Sequence, residues 1–333
     1  MESLDACCCG LDVHAKTVVA CLLKHDQQER RTCSTMTDAL LRVSDWLVNA
    51  GCTHVAIEST GVDWQPVCNI LEGLMAVILV NTRHVQAVPG HKTDARDSAW
   101  LADLLRHGLL KASCLPPRHS RDRRALTRYR SRVLRDQSAV AHRRQTVIES
   151  GNMQLGQGAS DALGVSGRAM LRAVAAGETD AITMADLARK PLKRKKPEVV
   201  RARDGRLTDT HRWVVGELLA RYDEREAALV RVEAHIRQAI EASPDPFVAE
   251  AVPRLDTIPG VGEQVAQTIV AEIGVEMARF PSAEHLASWA GRCPGNHESA
   301  GKRKSGKTTK GSPFLRAALV QAAWAASHSR GPY

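Results

Sequence analysis

Four carboxylates in the first third of the chain have types and spacing that suit metal chemistry. Asp12 sits mid-strand in Gly10-Leu11-Asp12-Val13-His14, and Glu58 ends the apolar segment His54–Glu58 just before Ser59-Thr60-Gly61. Asp94 and Asp97, in Lys92-Thr93-Asp94-Ala95-Arg96-Asp97, are three apart at the start of an expected helix and so share a face. Phosphodiester chemistry with two Mg2+ ions needs hard oxygen ligands converging on metals about 3.5–4 Å apart. Taken singly, Asp94 could cap its helix and Glu58 could end a strand in solvent. An aspartate inside an apolar strand is harder to explain away, because a buried charge without a partner is costly. Together the four predict a Mg2+ site built from Asp12, Glu58, Asp94 and Asp97.

Two later segments suit contacts with phosphate. In Leu255–Ala266, the run Pro259-Gly260-Val261-Gly262 between an apolar stretch and a new helix reads as a helix-hairpin-helix element. Gly260 and Gly262 would let the backbone approach a phosphate at the helix N-terminus, where amides and the positive dipole end meet an anion. A plain tight turn between helices reads equally simply. The segment Gly291–Gly306 is rich in glycine, serine and lysine, and Lys302, Arg303, Lys304 and Lys307 could grip phosphates. A serine among such cations could also attack phosphorus, since they stabilise the charge that develops there. Residue types alone favour binding over attack.

These residues need a frame to hold them. Residues 7–24 alternate and are β-branched, and Asp12–Lys16 breaks them into a hairpin; a third strand is expected over Arg30–Ser34. A helix capped by Thr37 or Asp38 and running to Ala50 comes next. A buried strand (His54–Glu58), a helix (Val62–Leu74), a strand (Met75–Val80) and a helix from near Thr93 complete the set. That order is the order of an RNase H-like fold, a mixed sheet covered by helices on both faces. From Arg121 to Glu149, Leu126, Val133, Val140 and Val147 recur every seven residues, which predicts a long helix with a coiled-coil-like seam. Arg124, Arg128, Arg135 and Arg144 are expected to project away from that seam toward nucleic acid. A second long helix is expected from about Thr208 to Ala242, and Ser243-Pro244-Asp245-Pro246 marks a boundary. The predicted domains are an α/β domain over 1–115, a helical arm with a basic linker over 116–245, and a mostly α-helical C-terminal domain over 246–333. The arm is also the expected site of homo-oligomerisation, as a dimer or tetramer.

The bulk composition agrees with a nucleic-acid partner. The formal net charge is +9 with a pI near 9.2, and Arg118–Arg144 holds ten arginines against two aspartates. Further basic clusters run over Lys190–Lys196 and Lys302–Lys310. Phe, Trp and Tyr make up only 4% of the chain, which argues for reading of phosphates and duplex shape over base stacking. The nine cysteines include no CxxC pair, so they are expected to be reduced and mostly buried, not zinc ligands. No segment resembles a signal peptide and no apolar run approaches the roughly 18 residues of a membrane span, which predicts a cytoplasmic protein away from membranes.

The ordered set GLDVHAKT, AIESTG, HKTDARD, IPGVG and CPGNHESAGKRKSGKTTKGSPFLRAALVQAA resembles the insertion-sequence-110 family of transposases over about residues 7–110 and 250–325. The resemblance implies a DEDD recombinase with a RuvC-like N-terminal domain and a C-terminal domain bearing a catalytic serine. Asp12, Glu58, Asp94 and Asp97 fill the DEDD positions, and Ser299 matches the serine that attacks DNA to form a phosphoserine, assisted by Mg2+. The resemblance further implies a structured bridge RNA that pairs with donor and target DNA, in a prokaryotic protein found on the nucleoid when bound to DNA. Two departures stand out: Ala300 follows the serine where glycine is common, leaving Ser305-Gly306 as a rival nucleophile position, and Tyr333 follows the last apolar helix sooner than in relatives. Two other readings fit the residues. One is a metal-dependent junction-resolving nuclease with Ser299 only binding phosphate; the other is a non-catalytic nucleic-acid-binding protein, for which four converging acids have no use.

Overall fold

Residues 7–13 are small or aliphatic except for Asp12, so the strand they form can be covered on both sides. The computed structural model describes residues 7–25, 27–58, 63–80, 97–113, 115–153, 164–187, 207–293, 297–299, 302–308 and 311–328. In it β1 (Cys7–Val13) is buried along its whole length. It pairs antiparallel with β2 (Thr17–Lys24), which pairs antiparallel with β3 (Gln27–Ser34). On its other side β1 runs parallel to β4 (His54–Glu58), and β4 runs parallel to β5 (Ala76–Val80). A two-residue β6 (Ala112–Ser113), not foreseen from the sequence, pairs antiparallel with β5 and completes the order β3-β2-β1-β4-β5-β6.

Alternation along each strand sends side chains to two separate layers. Cys7, Cys9, Leu11 and Val13 of β1, with Val55 and Ile57 of β4, pack against α1 (Thr37–Asn49) and α2 (Trp64–Leu71). Cys8 and Ala56 face the opposite way, onto Leu101 and Leu105 of α3, which is described over Asp97–Arg106. The consecutive cysteines are thus thin fillers between strand and helix, and the Cys8 thiol donates to the Ala102 carbonyl at 3.5 Å. One expectation needs correcting: the N-cap of α1 is Met36, without a side-chain cap, while Asp38 lies in the first turn and pairs with Arg42 at 2.9 Å.

The chain forms two compact units, Met1–Arg118 and His119–Tyr333. The second unit is helical apart from one short hairpin among its described residues. It contains α4 (Arg118–Ser150), α5 (Val165–Ala175), α6 (Ala181–Asp186), α7 (Asp209–Glu241), α8 (Phe247–Asp256), α9 (Glu263–Ile273), α10 (Ala283–Trp289) and α11 (Pro313–Ser327), with β7 (His297–Ser299) and β8 (Lys302–Ser305) between the last two. The helix α7 has a capping box formed by Thr208 and His211, and it is apolar at both ends. Val215 and Leu219 pack with Ile148 of α4 and Leu171 of α5, while Val232, Ile236 and Ile240 join α8, α9 and α11.

The buried stripe of α4 differs from the expected seam. It consists of Arg123, Thr127, Arg130, Val133, Val140, Arg144 and Ile148, whereas Leu126 and Val147 are only half-buried. A strict seven-residue repeat drifts by about 20° per heptad on a straight helix, so a seam drawn every seven residues leaves the core at both ends. Three- and four-residue steps stay on it.

Candidate active site

Strand pairing and one glycine bring the carboxylates together. Leu11 lies opposite Ile57 in the parallel pair, so the next step along both strands sets Asp12 beside Glu58. Both belong to the strand face that carries Cys8 and Ala56, the face covered by α3. That helix can settle directly on β1 because position 10 has no side chain. A Cβ on Gly10 would overlap the Ser98 carbonyl oxygen and stand 2.5 Å from the Ala102 amide nitrogen. Asp97 is in the first turn of this same helix.

These acids act on one another's charge. Asp12 is 9% exposed, and its carboxyl is pushed above the usual carboxylate range first by burial and further by the charges of Asp97 and Glu58. His14 opposes this, with Nε2 at 3.2 Å from Asp12 Oδ2. His14, just past the end of β1, was not singled out from the sequence; Asp12 was, as an acid inside an apolar strand. Asp94 lies outside the described residues. Among those described, no group of three or more His, Cys, Asp or Glu is already drawn close enough to hold a metal ion. The donor chemistry nevertheless suits a hard divalent cation: oxygen ligands only, and a buried acid whose ionisation two neighbouring acids oppose.

The serine segment is a hairpin in the second unit. Ser299 stands opposite Lys302, and His297 opposite Ser305, with a bulge between His297 and Glu298. Only the backbone of Ser299 is described. Ser305 is half-buried, and its Oγ accepts the Lys307 amide at 3.2 Å, a local turn bond. Lys302 and Lys307 are exposed; the side chains of Arg303 and Lys304 lie outside the described residues.

The glycines of the turn between α8 and α9 have different surroundings. Gly260 has φ +83°, and a Cβ there would overlap the Ala322 carbonyl oxygen and meet the Ala326 nitrogen at 2.7 Å. Its missing side chain makes room for α11. Gly262 is the N-cap of α9, with open space around it.

The arginines of α4 require the main correction. Three of the four expected to project outward are turned into the protein. Arg124 donates to the Ala271 and Glu272 carbonyls at the end of α9. Arg128 makes a two-pronged pair with the Glu272 carboxylate, Nε to Oε1 at 2.7 Å and NH2 to Oε2 at 2.9 Å. Arg144 is 4% exposed. Arg135 is exposed, with its guanidinium 5.5 Å from the Phe314 ring centre. Arg130, not singled out before, is buried and bonded to Gln267, Thr268 and the Gln264 carbonyl. Helix α9 offers many acceptors and guanidinium is weakly hydrated, so these arginines lace two helices together.

Two family models match the chain, one mainly over its first compact unit and one within its second. A family model for DEDD transposases of this type, described as a transposase, matches residues 9–152, and one described as "Transposase IS116/IS110/IS902 family" matches residues 252–333. The pilin gene-inverting protein of Moraxella bovis is 32% identical over 107 residues, which cover 32% of this chain and 32% of that relative's length. Among the described residues, no helix is long and apolar enough to cross a membrane. The first match spans Asp12, Glu58 and Asp97 and the second spans the serine hairpin, and on these grounds the chain belongs to the insertion-sequence-110 family of transposases.

Proposed function

We propose that this protein is a DNA recombinase that exchanges strands through Ser299, assisted by Mg2+ at Asp12, Glu58, Asp94 and Asp97. The observation that carries the reading is geometric: Asp12 and Glu58 fall side by side on the strand face that α3 covers, and Asp97 opens that helix, an all-oxygen set suited to a hard divalent cation. When bound there, Mg2+ supplies charge to offset what develops on phosphate oxygens. In the first step the Ser299 oxygen bonds to phosphorus and one phosphorus–sugar oxygen bond breaks. The freed sugar hydroxyl leaves with a proton, matching the one the serine loses. Attack on the phosphoserine by another strand's hydroxyl closes the new strand and restores the serine. Ser305 is the weaker nucleophile candidate because its oxygen is engaged in a turn. His14 holds the carboxylate of Asp12 in place at the mouth of the cluster.

A structured guide RNA would select donor and target DNA by pairing, with the protein gripping phosphates through Arg135, Lys302, Arg303, Lys304 and Lys307. The turn at Gly262 would act as the phosphate-facing end of a helix-hairpin-helix element, and α4 with α7 as an arm through which copies of the chain assemble. The protein would then work in the cytoplasm, on the nucleoid.

The test is a denaturation-resistant protein–DNA adduct, formed with whatever RNA copurifies. Ser299→Ala should abolish it and Ser305→Ala should not. Adduct at the wild-type level from Ser299→Ala rejects the serine assignment. Mg2+-dependent cutting with no adduct from the unaltered protein selects the junction-resolving nuclease instead.

A further inference from the structure

The segment that holds Ser299 is pinched at its base and tied to a buried ion pair. A Cβ on Gly311 would stand 2.5 Å from both the Ala290 carbonyl carbon and the Gly291 nitrogen, so the chain leaving α10 touches the chain entering α11. The next residue, Ser312, is the N-cap of α11, its Oγ accepting the Leu315 amide at 3.3 Å. The same hydroxyl donates to Glu272 Oε2 at 3.0 Å. Glu272 is 1% exposed and is the carboxylate that Arg128 grips, its NH2 bonded to the same Oε2. The Arg128 guanidinium also lies 5.2 Å from the ring centre of Phe314, two residues beyond the cap. One carboxylate therefore joins α4, α9 and the first turn of α11.

A buried ion pair is a poor source of stability, because desolvation offsets the attraction and apolar residues of similar volume do as well or better. It is a good source of geometry: the two-pronged fork has one low-energy arrangement, and Glu272 passes that arrangement on to a hydroxyl with a single proton to give. We infer that Arg128, Glu272 and Ser312 form a clamp that positions the Ser299 hairpin for attack, with Glu272 as its central positioning residue. The inference rests on the proposed role of Ser299. It assigns no chemistry to Glu272, which acts only through the backbone of the segment it anchors.

Ser312→Gly is the informative variant, since glycine is an acceptable N-cap but cannot bond to Glu272. Ser312→Thr keeps both functions and serves as the rescue. In the full chain, three quantities are measured: the single-turnover rate of adduct formation, the affinity for the same DNA, and the rate of trypsin cleavage within residues 302–307. For Ser312→Gly the adduct rate should fall about tenfold to a hundredfold, the range a small misplacement of a reacting group produces, with affinity unchanged. Trypsin cleavage should quicken, and Ser312→Thr should restore both rates. Glu272→Gln should shift both rates in the direction of Ser312→Gly. Wild-type rates in Ser312→Gly, or a Ser312→Thr variant as impaired as the glycine, would overturn the clamp. So would a fall in rate matched by an equal fall in affinity. If the unaltered protein forms no adduct, the reading of Ser299 fails, while the trypsin comparison still decides whether the clamp exists.

Discussion

The Ser98 carbonyl oxygen fills the space where a side chain of residue 10 would be, so helix α3 rests on the bare backbone of β1 at Gly10. Two residues along the strand is Asp12, and one residue back along the helix is Asp97. The approach of the two carboxylates is set by the absence of a methyl group.

Gly10→Ala should therefore damage activity beyond its effect on stability. Overpacking of this kind costs about 1–3 kcal/mol, and relief by lifting α3 would carry Asp97 away from Asp12. Thermal unfolding should show a modest loss, and Mg2+-dependent strand exchange a loss of at least about a hundredfold. Wild-type exchange from a folded Gly10→Ala protein would remove the close approach from the account.

The second prediction concerns Asp12 and pH. Burial, then Asp97 and Glu58, hold its folded-state pKa above the ordinary value. The folded state then binds the proton more tightly than the unfolded one. The stabilising contribution is complete below the unfolded pKa and is lost as pH rises through the raised one. At about pH 7.5 and without divalent ions, Asp12→Asn should melt higher than the wild type. Adding Mg2+ should raise the wild-type melting temperature by mass action and leave Asp12→Asn unmoved. An asparagine variant that is no more stable, or that still responds to Mg2+, contradicts the cluster.

Arg128 and Arg135, seven residues apart on α4, should behave oppositely. Arg128→Gln leaves Glu272 buried without its cation, at a cost of about 3 kcal/mol, the lower end for such pairs because Arg128 itself is half-exposed. Arg135→Gln should leave stability within about 0.5 kcal/mol and weaken nucleic-acid binding, lowering the salt slope by about one. Denaturant titration and binding at several salt concentrations separate the two. An unchanged slope for Arg135→Gln excludes it from the phosphate contacts.

Gly260 and Gly262 should part in the same way. Gly260→Ala forces a side chain into left-handed backbone and into the carbonyl of Ala322, so it should destabilise by more than about 2 kcal/mol. Gly262→Ala meets open space and should cost less, with its main effect on DNA affinity. A larger melting loss at 262 than at 260 would contradict the packing described.

The first unit was legible in the sequence because two simple periodicities govern it. Breaks at Asp12–Lys16 and around residue 50 separate strands from helices, and alternation sorts Cys7, Cys9 and Leu11 from Cys8, Gly10 and Asp12. Asp12 and Glu58, on the paired strands β1 and β4, share a face of the sheet for that reason. The arginines of α4 were not legible, since a charge count cannot tell a guanidinium that meets solvent from one that meets carbonyls. A clue was available in the spacing: Arg123, Thr127 and Arg130 lead into Val133 by steps of four, three and three. The tie from Glu272 to Ser312 spans 40 residues, and no local pattern announces it.

The outer strand β3 has one further consequence. Its sequence, Gln-Gln-Glu-Arg-Arg-Thr-Cys-Ser, is exposed almost throughout, yet it borders a sheet whose strand β1 is buried along its whole length. Arg31 lies 4.3 Å from the ring centre of Trp46 and pairs with Glu29 of the same strand at 2.8 Å. A second sheet approaching this border would have to strip water from Glu29, Arg30 and Arg31 to reach the free amides. Charge on this border thereby disfavours edge-to-edge pairing of the α/β domain with another sheet.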